Sequence, residues 1–142
     1  MADQPVVVFQ YFDHSYSEVW DAITDHKKMI EWFFENIPSF SAEPGFITRF
    51  VVENEGRIFP HLWIIIEVIE GERLMIDWKY EGYRGSSIVT FRIEKKGPGC
   101  ILYVEHMNTS SYDTSIPEFT RESCQGGWDY FIKERLVQFL NN

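Results

Sequence analysis

Residues 115–142 read SIPEFTRESCQGGWDYFIKERLVQFLNN, and the fold turns on how this stretch is read. Apolar side chains recur at Cys124, Trp128, Phe131, Ile132, Leu136, Phe139 and Leu140, the spacing of one helical face. Glu122, Gln125, Asp129, Lys133 and Gln138 take the opposite face. Ser115 with Glu118 fits a capping box, and Pro117 fits a first helical turn. The spacing therefore predicts one long amphipathic helix running to the C-terminus. Gly126-Gly127 interrupts it, and glycines inside a helix cost about 1 kcal/mol each relative to alanine. That cost calls for close approach to another backbone or for a bend.

The apolar stripe needs a surface, and the residues before it supply one. Pro5 to Phe12, β-branched and aromatic, predicts a first strand. Ser15 and Glu18 form a capping box that opens a helix near Tyr16. Asp25 caps a second short helix carrying Met29, Ile30, Trp32 and Phe33, and Pro38 and Pro44-Gly45 mark the loop beyond it. From Phe46 the period changes to two. Phe46, Thr48, Phe50 and Val52 share one face; so do Leu74, Ile76, Trp78 and Tyr80, then Val89, Phe91 and Ile93, then Leu102, Val104 and His106. His61 to Ile69 is a nearly continuous apolar run with no readable parity. Short turns separate these strands, which makes them antiparallel neighbours. Thr109 to Ile116, rich in Ser and Thr, reads as a loop. The order is strand, two helices, five strands, long helix. The class is α+β: an antiparallel six-stranded sheet with the last helix packed across its apolar face.

At 142 residues the chain is expected to form one domain, 1–142, able to bury roughly 70% of its unfolded surface. Its net charge of -9 argues against nucleic acid and against anionic membranes as partners. Cys100 and Cys124 are too few for a disulfide framework and lack metal spacing. The opening Met1-Ala2-Asp3 begins no signal sequence, and Leu62 to Ile66 is too short to span a bilayer. A cytoplasmic location is expected.

Few residues carry candidate chemistry. His106 shares the inward face of its strand and is the one imidazole placed to act as acid or base; a hydrogen-bonded structural role is the commoner fate of such a residue. His61, beside Pro60, reads as a surface or turn residue, and His14 and His26 as exposed. No pair of histidines has zinc spacing, and no glycine-rich loop joins a strand to a helix, so no cofactor is predicted. Glu67 could pair with His106 only if it points inward. Cys124 falls on the apolar stripe as a small packed hydrophobe. The aromatic set stands out. Phe50, Trp78, Tyr80, Phe91 and Trp128 face one space by parity, with His106 among them as candidate ligand-binding residues. Trp32, Phe33, Tyr112 and Phe119 are the bulky residues of the expected rim. A filled core and a lined cavity give the same apolar pattern.

The sequence also resembles a known family. Val19-Trp20-Asp21-Ala22-Ile23-Thr24-Asp25, Ile30-Glu31-Trp32-Phe33, Glu72-Arg73-Leu74 through Trp78, and Gly127-Trp128 with Leu136 and Leu140 fall in order along nearly the whole chain. They resemble the motifs of the family related to the activator of the 90-kilodalton heat-shock chaperone's ATPase (AHSA-type). That family sits in the START-like, or SRPBCC or Bet v 1-like, superfamily. The resemblance implies a helix-grip fold, whose members often hold a hydrophobic ligand between helix and sheet. The first expectation is a non-enzymatic binding protein, a monomer or homodimer, for a small lipid, sterol or aromatic molecule. A chaperone-associated or self-associating module is the second, although these 142 residues leave no room for the activator's separate chaperone-binding domain. A cyclase- or hydrolase-like enzyme using His106 is the third, although Ser86 to Phe91 carries no pattern specific to cyclases.

Overall fold

The computed structural model describes residues 4–142. The N-terminal Met1-Ala2-Asp3 lies outside the described residues. Strand β1 (Val6–Phe12) is followed by helices α1 (Tyr16–Thr24) and α2 (His26–Trp32). The meander then runs β2 (Ile47–Asn54), β3 (Arg57–Ile69), β4 (Arg73–Tyr80), β5 (Ser86–Lys96) and β6 (Gly99–Ser110). A 3-10 turn (Pro117–Phe119) leads to the C-terminal helix. That helix comprises α3 (Arg121–Trp128), a π-helical stretch (Asp129–Leu136) and α4 (Val137–Leu140). The sheet order is β1-β6-β5-β4-β3-β2, antiparallel throughout, with β1 closing against β6. Bulges at Ile65/Glu67 and Ser86/Ser87 accompany its curvature. This is a helix-grip arrangement.

The alternating residues of the sequence fill one face. Val8, Phe50, Leu74, Ile76, Val89, Phe91, Leu102 and Val104 are buried against Trp128, Ile132 and Leu136 of the helix. Each large apolar side chain so buried contributes roughly 1.5–3 kcal/mol. The capping box opens α1 as expected: Ser15 Oγ accepts the Glu18 N–H, and Glu18 Oε1 accepts the Ser15 N–H. Asp25 occupies the N-cap of α2 without a side-chain hydrogen bond.

The structure revises three expectations. The last helix starts later, at Arg121, with Thr120 as N-cap accepting the Ser123 N–H at 3.2 Å. Ser115 and Glu118 do not form a capping box. Arg57 Nε and Nη2 donate to the two Glu118 carboxylate oxygens at 2.8 and 2.7 Å, and Asn54 Nδ2 adds a bond of 2.6 Å. Ser115 Oγ turns to Asp113 instead. A bidentate guanidinium–carboxylate pair is stronger than a neutral local cap, so the chain before the helix is tied to the β2–β3 hairpin.

Gly126-Gly127 allows no close backbone approach, since a Cβ at either position would meet nothing within 4 Å. The winding changes from α to π directly beyond the pair, at Asp129.

Pro60 lies inside β3 rather than before it. Its carbonyl accepts the N–H of Glu81, one residue past the end of β4. The ring nitrogen points to the same side, where the ladder has run out and no donor is required.

Candidate functional site

Between the C-terminal helix and the sheet lies a cavity of about 510 Å³. Small-molecule sites fall in the range of roughly 300–1,000 Å³. His61 on β3, Trp78 and Tyr80 on β4, and His106 on β6 form its sheet wall. Cys124, Gly127, Trp128 and Phe131 form the helix side. Phe33 and Phe34, just beyond α2, and Tyr112 and Phe119, between β6 and α3, complete the aromatic lining. The exposed lining residues Gln4, Thr114, Arg121 and Ser123 mark the rim, where Arg121 donates to the carbonyls of Gln4 and Pro5.

His106 is 7% exposed and fully engaged. Trp128 Nε1–H donates to its Nδ1 at 3.0 Å, which fixes the tautomer with the proton on Nε2. Nε2–H then donates to Ser87 Oγ at 2.9 Å. The Ser87 and Tyr112 hydroxyls lie 2.9 Å apart, and each reaches the Trp78 carbonyl, at 2.8 and 3.0 Å. The Cys124 thiol lies 3.6 Å from Nδ1. Burial pushes His106 down to about 4, Cys124 up to about 11 and Tyr112 up to about 12, so all three are neutral near pH 7. Gly85 makes room for this network. Its φ is +110°, and a Cβ there would overlap the Tyr112 ring.

His61 stands at the other end of the same wall. Its ring centroid is 5.6 Å from that of Trp78, as is that of His106. It is 5% exposed and burial pushes it down to about 4. Its Nδ1 donates to the Phe59 carbonyl at 2.9 Å, leaving Nε2 as an acceptor with no hydrogen-bond partner among the described residues. Aromatic rings surround it. Phe50 stacks on it at 4.7 Å, and Tyr80 meets it edge-on at 4.7 Å. Tyr80 Oη accepts Trp78 Nε1–H at 2.9 Å, and its own O–H has no acceptor among the described residues.

The sequence profile of the family "Activator of Hsp90 ATPase homolog 1-like protein" matches residues 13–141. The chain belongs to this family. Solved structures share its fold. CV1439 from Chromobacterium violaceum aligns with a TM-score of 0.79 at 16% identity, over 97% of each chain. CalU16 from Micromonospora echinospora aligns with 0.62 at 25% identity, over 95% of this chain and 80% of that one. DynU16, from the dynemicin biosynthetic locus, aligns with 0.77 at 23% identity over 99% of this chain. The present chain spans about half of DynU16's length, 48%. A comparison with curated proteins finds no match.

In this member of the Hsp90-activator-like family, the structure sorts the residues singled out from the sequence. Trp78, Tyr80, His106 and Trp128 line the cavity, as do Phe33, Tyr112 and Phe119. Phe50, Phe91 and Trp32 lie one layer behind it. Phe50 is covered by the His61 ring, Phe91 meets Trp128 edge-on at 5.8 Å, and Trp32 stacks under Phe33 at 4.8 Å while its Nε1 donates to the Ala22 carbonyl. His61 is corrected from surface to wall, because β3 runs through Pro60 and the alternation Phe59, His61, Trp63, Ile65 points inward. That alternation is present in the sequence once Pro60 is allowed inside a strand. Phe131 belongs to the helical stripe read from the sequence, whereas Phe34 carries no comparable signal.

His14 and His26 are half-buried rather than exposed. His14 is held by Glu18 and Asn141, and His26 by the Ile37 carbonyl. Glu67 pairs with Arg73 at 2.7 Å and takes no part in the site. Among the described residues no group of His, Cys, Asp and Glu could hold a metal ion, and no helix is long and apolar enough to cross a membrane.

Proposed function

We propose that residues 1–142 act as one non-enzymatic binding domain, holding a small hydrophobic or amphipathic molecule between the C-terminal helix and the sheet. The cavity of about 510 Å³, whose lining includes eight Phe, Tyr and Trp rings, carries this reading. Membership of a family whose fold pairs a helix with a curved sheet supports it. The polar groups favour binding over turnover. A general base works best with a pKa near the operating pH, whereas both wall imidazoles sit at about 4. Both His106 nitrogens are already bonded, and Cys124 at about 11 is a poor nucleophile. A cytoplasmic location fits two free cysteines.

The test uses N-phenyl-1-naphthylamine, a neutral apolar fluorophore. Saturable enhancement of its emission, with quenching of Trp78 and Trp128, is expected. A side chain at Gly127 enters open space beside the cavity, so Gly127→Phe should fold and lose most of the probe binding. A folded wild-type protein that takes up no apolar probe would sink the proposal.

The family match supplies the second reading, a chaperone-associated module. Stimulation of Hsp90 ATPase turnover by the chain, unaffected by Gly127→Phe, would favour that reading over the first.

A further inference from the structure

We infer that His61 and Tyr80 form a polar anchor inside the cavity that selects molecules carrying a hydroxyl on an aromatic or fused-ring body. This rests on the binding function proposed above and names the ligand class.

His61 is more than nine-tenths buried, an environment in which polar nitrogens are normally paired. Its tautomer is set by the Phe59 carbonyl, which can only accept, so the proton is on Nδ1. Nε2, the ring atom far from the backbone, retains its lone pair on a residue that lines the cavity. Tyr80 offers the complement. Its oxygen already accepts from Trp78, and its O–H has no acceptor among the described residues. The two rings meet edge-on with centroids 4.7 Å apart, so acceptor and donor belong to one neighbourhood.

A ligand hydroxyl matches this pair in both directions. Its hydrogen satisfies His61 Nε2, and its oxygen accepts from Tyr80. An ether or ketone satisfies only Tyr80, and a hydrocarbon satisfies neither. A carboxylate or phosphate is disfavoured at this anchor, because burial keeps His61 neutral and its Nε2 presents a lone pair. The surroundings fix the rest of the ligand. Phe34, Trp78, Phe131 and Trp128 offer ring faces and edges to a flat apolar body. At the opposite end, His106, Ser87 and Tyr112 bond to one another, and no valence of His106 remains for a ligand.

Three probes of one shape test the inference by titration of the wild-type protein: 2-naphthol, 2-methoxynaphthalene and naphthalene. Naphthalene leaves both buried anchor groups unpaired and 2-naphthol pairs both, so 2-naphthol should bind at least about tenfold more tightly than naphthalene. The methoxy compound should fall between them. His61→Phe should lower the naphthol-to-naphthalene ratio to that of the methoxy compound, and Tyr80→Phe should collapse the methoxy-to-naphthalene ratio toward one. Equal affinity for the three probes overturns the anchor while leaving the binding function standing. So does a naphthol preference that persists undiminished in His61→Phe and in Tyr80→Phe. Failure of all three probes to bind removes both the anchor and the function on which it rests.

Discussion

His106 and His61 share a sheet face, a depth of burial and a distance of 5.6 Å from the ring of Trp78, yet they do different work. His106 joins the helix to the sheet. It accepts from Trp128 on one side and donates to Ser87 on the other, so every valence is used within the protein. Among the described residues His61 is bonded only to its own strand, through Phe59. Burial lowers both groups to about 4, so the shift alone does not separate them. What separates them is the partner count at each ring nitrogen. A buried polar group that the fold has satisfied serves stability, and one that it has left half-satisfied has a valence for something else.

Acid should strike both ends and give the largest effect. The folded value of about 4 lies below the ordinary value of 6.5 for each histidine. Between the two values the unfolded chain binds more protons, so stability is complete above about pH 6.5 and falls as the pH drops toward 4. The loss is on the order of 3 kcal/mol per histidine, a large share of a typical folding free energy. Urea melts from pH 7.5 to 4 should show the midpoint falling through this window, with a shallower slope in His61→Phe. A flat midpoint would mean that the two imidazoles are not neutral in the folded protein.

Truncating the satisfied end should cost nearly as much at constant pH. Trp128→Ala removes a buried indole and leaves His106 Nδ1 without its donor, for about 3–5 kcal/mol. Trp128→Phe keeps most of the packing and isolates the lost hydrogen bond, for about 1–3 kcal/mol. Chemical denaturation at pH 7.5 measures both. A cost for Trp128→Phe below about 0.5 kcal/mol would contradict the role given to the Trp128–His106 bond.

The strand face was largely legible before any coordinates. Period-two alternation placed Trp78, Tyr80, Phe91 and His106 inward, because one-sided burial of a strand leaves that signature. The helix stripe was legible for the same reason, at Trp128, Ile132 and Leu136. The start of the helix was not. Glu118 is claimed by Arg57 from a distant hairpin, and a non-local ion pair has no local spacing. The site was half legible. Residues that line the cavity and residues one layer behind it share the same parity, so Phe50 and Trp78 look alike in sequence and differ only in what covers them. His61 was hidden by Pro60. The rule that proline marks a strand boundary yields where the neighbouring strand has already ended.

Gly85→Ala tests whether the rim depends on the satisfied network. At φ +110° alanine is strained, and its Cβ would displace the Tyr112 ring from Ser87 and the Trp78 carbonyl. A loss of about 1–3 kcal/mol is expected from strain and the broken bonds together. Apolar-probe affinity should also fall, because Tyr112 lines the cavity. A variant with wild-type melting and binding would show that the Tyr112 contacts contribute little.

The smallest effect on stability should come from His61→Phe. Phenylalanine keeps a flat ring against Phe50 and Tyr80 and removes a single protein hydrogen bond, the one to the Phe59 carbonyl. The expected cost is about 1 kcal/mol at pH 7.5, where the wild-type imidazole is neutral. His106→Phe, of the same size and depth, strands the Trp128 N–H and takes one donor away from the Ser87 hydroxyl, and should cost about 2–5 kcal/mol. Denaturation of the two variants side by side measures the difference directly. Equal losses would mean that His61 is held by the protein as firmly as His106, and its Nε2 would then not be free for a ligand.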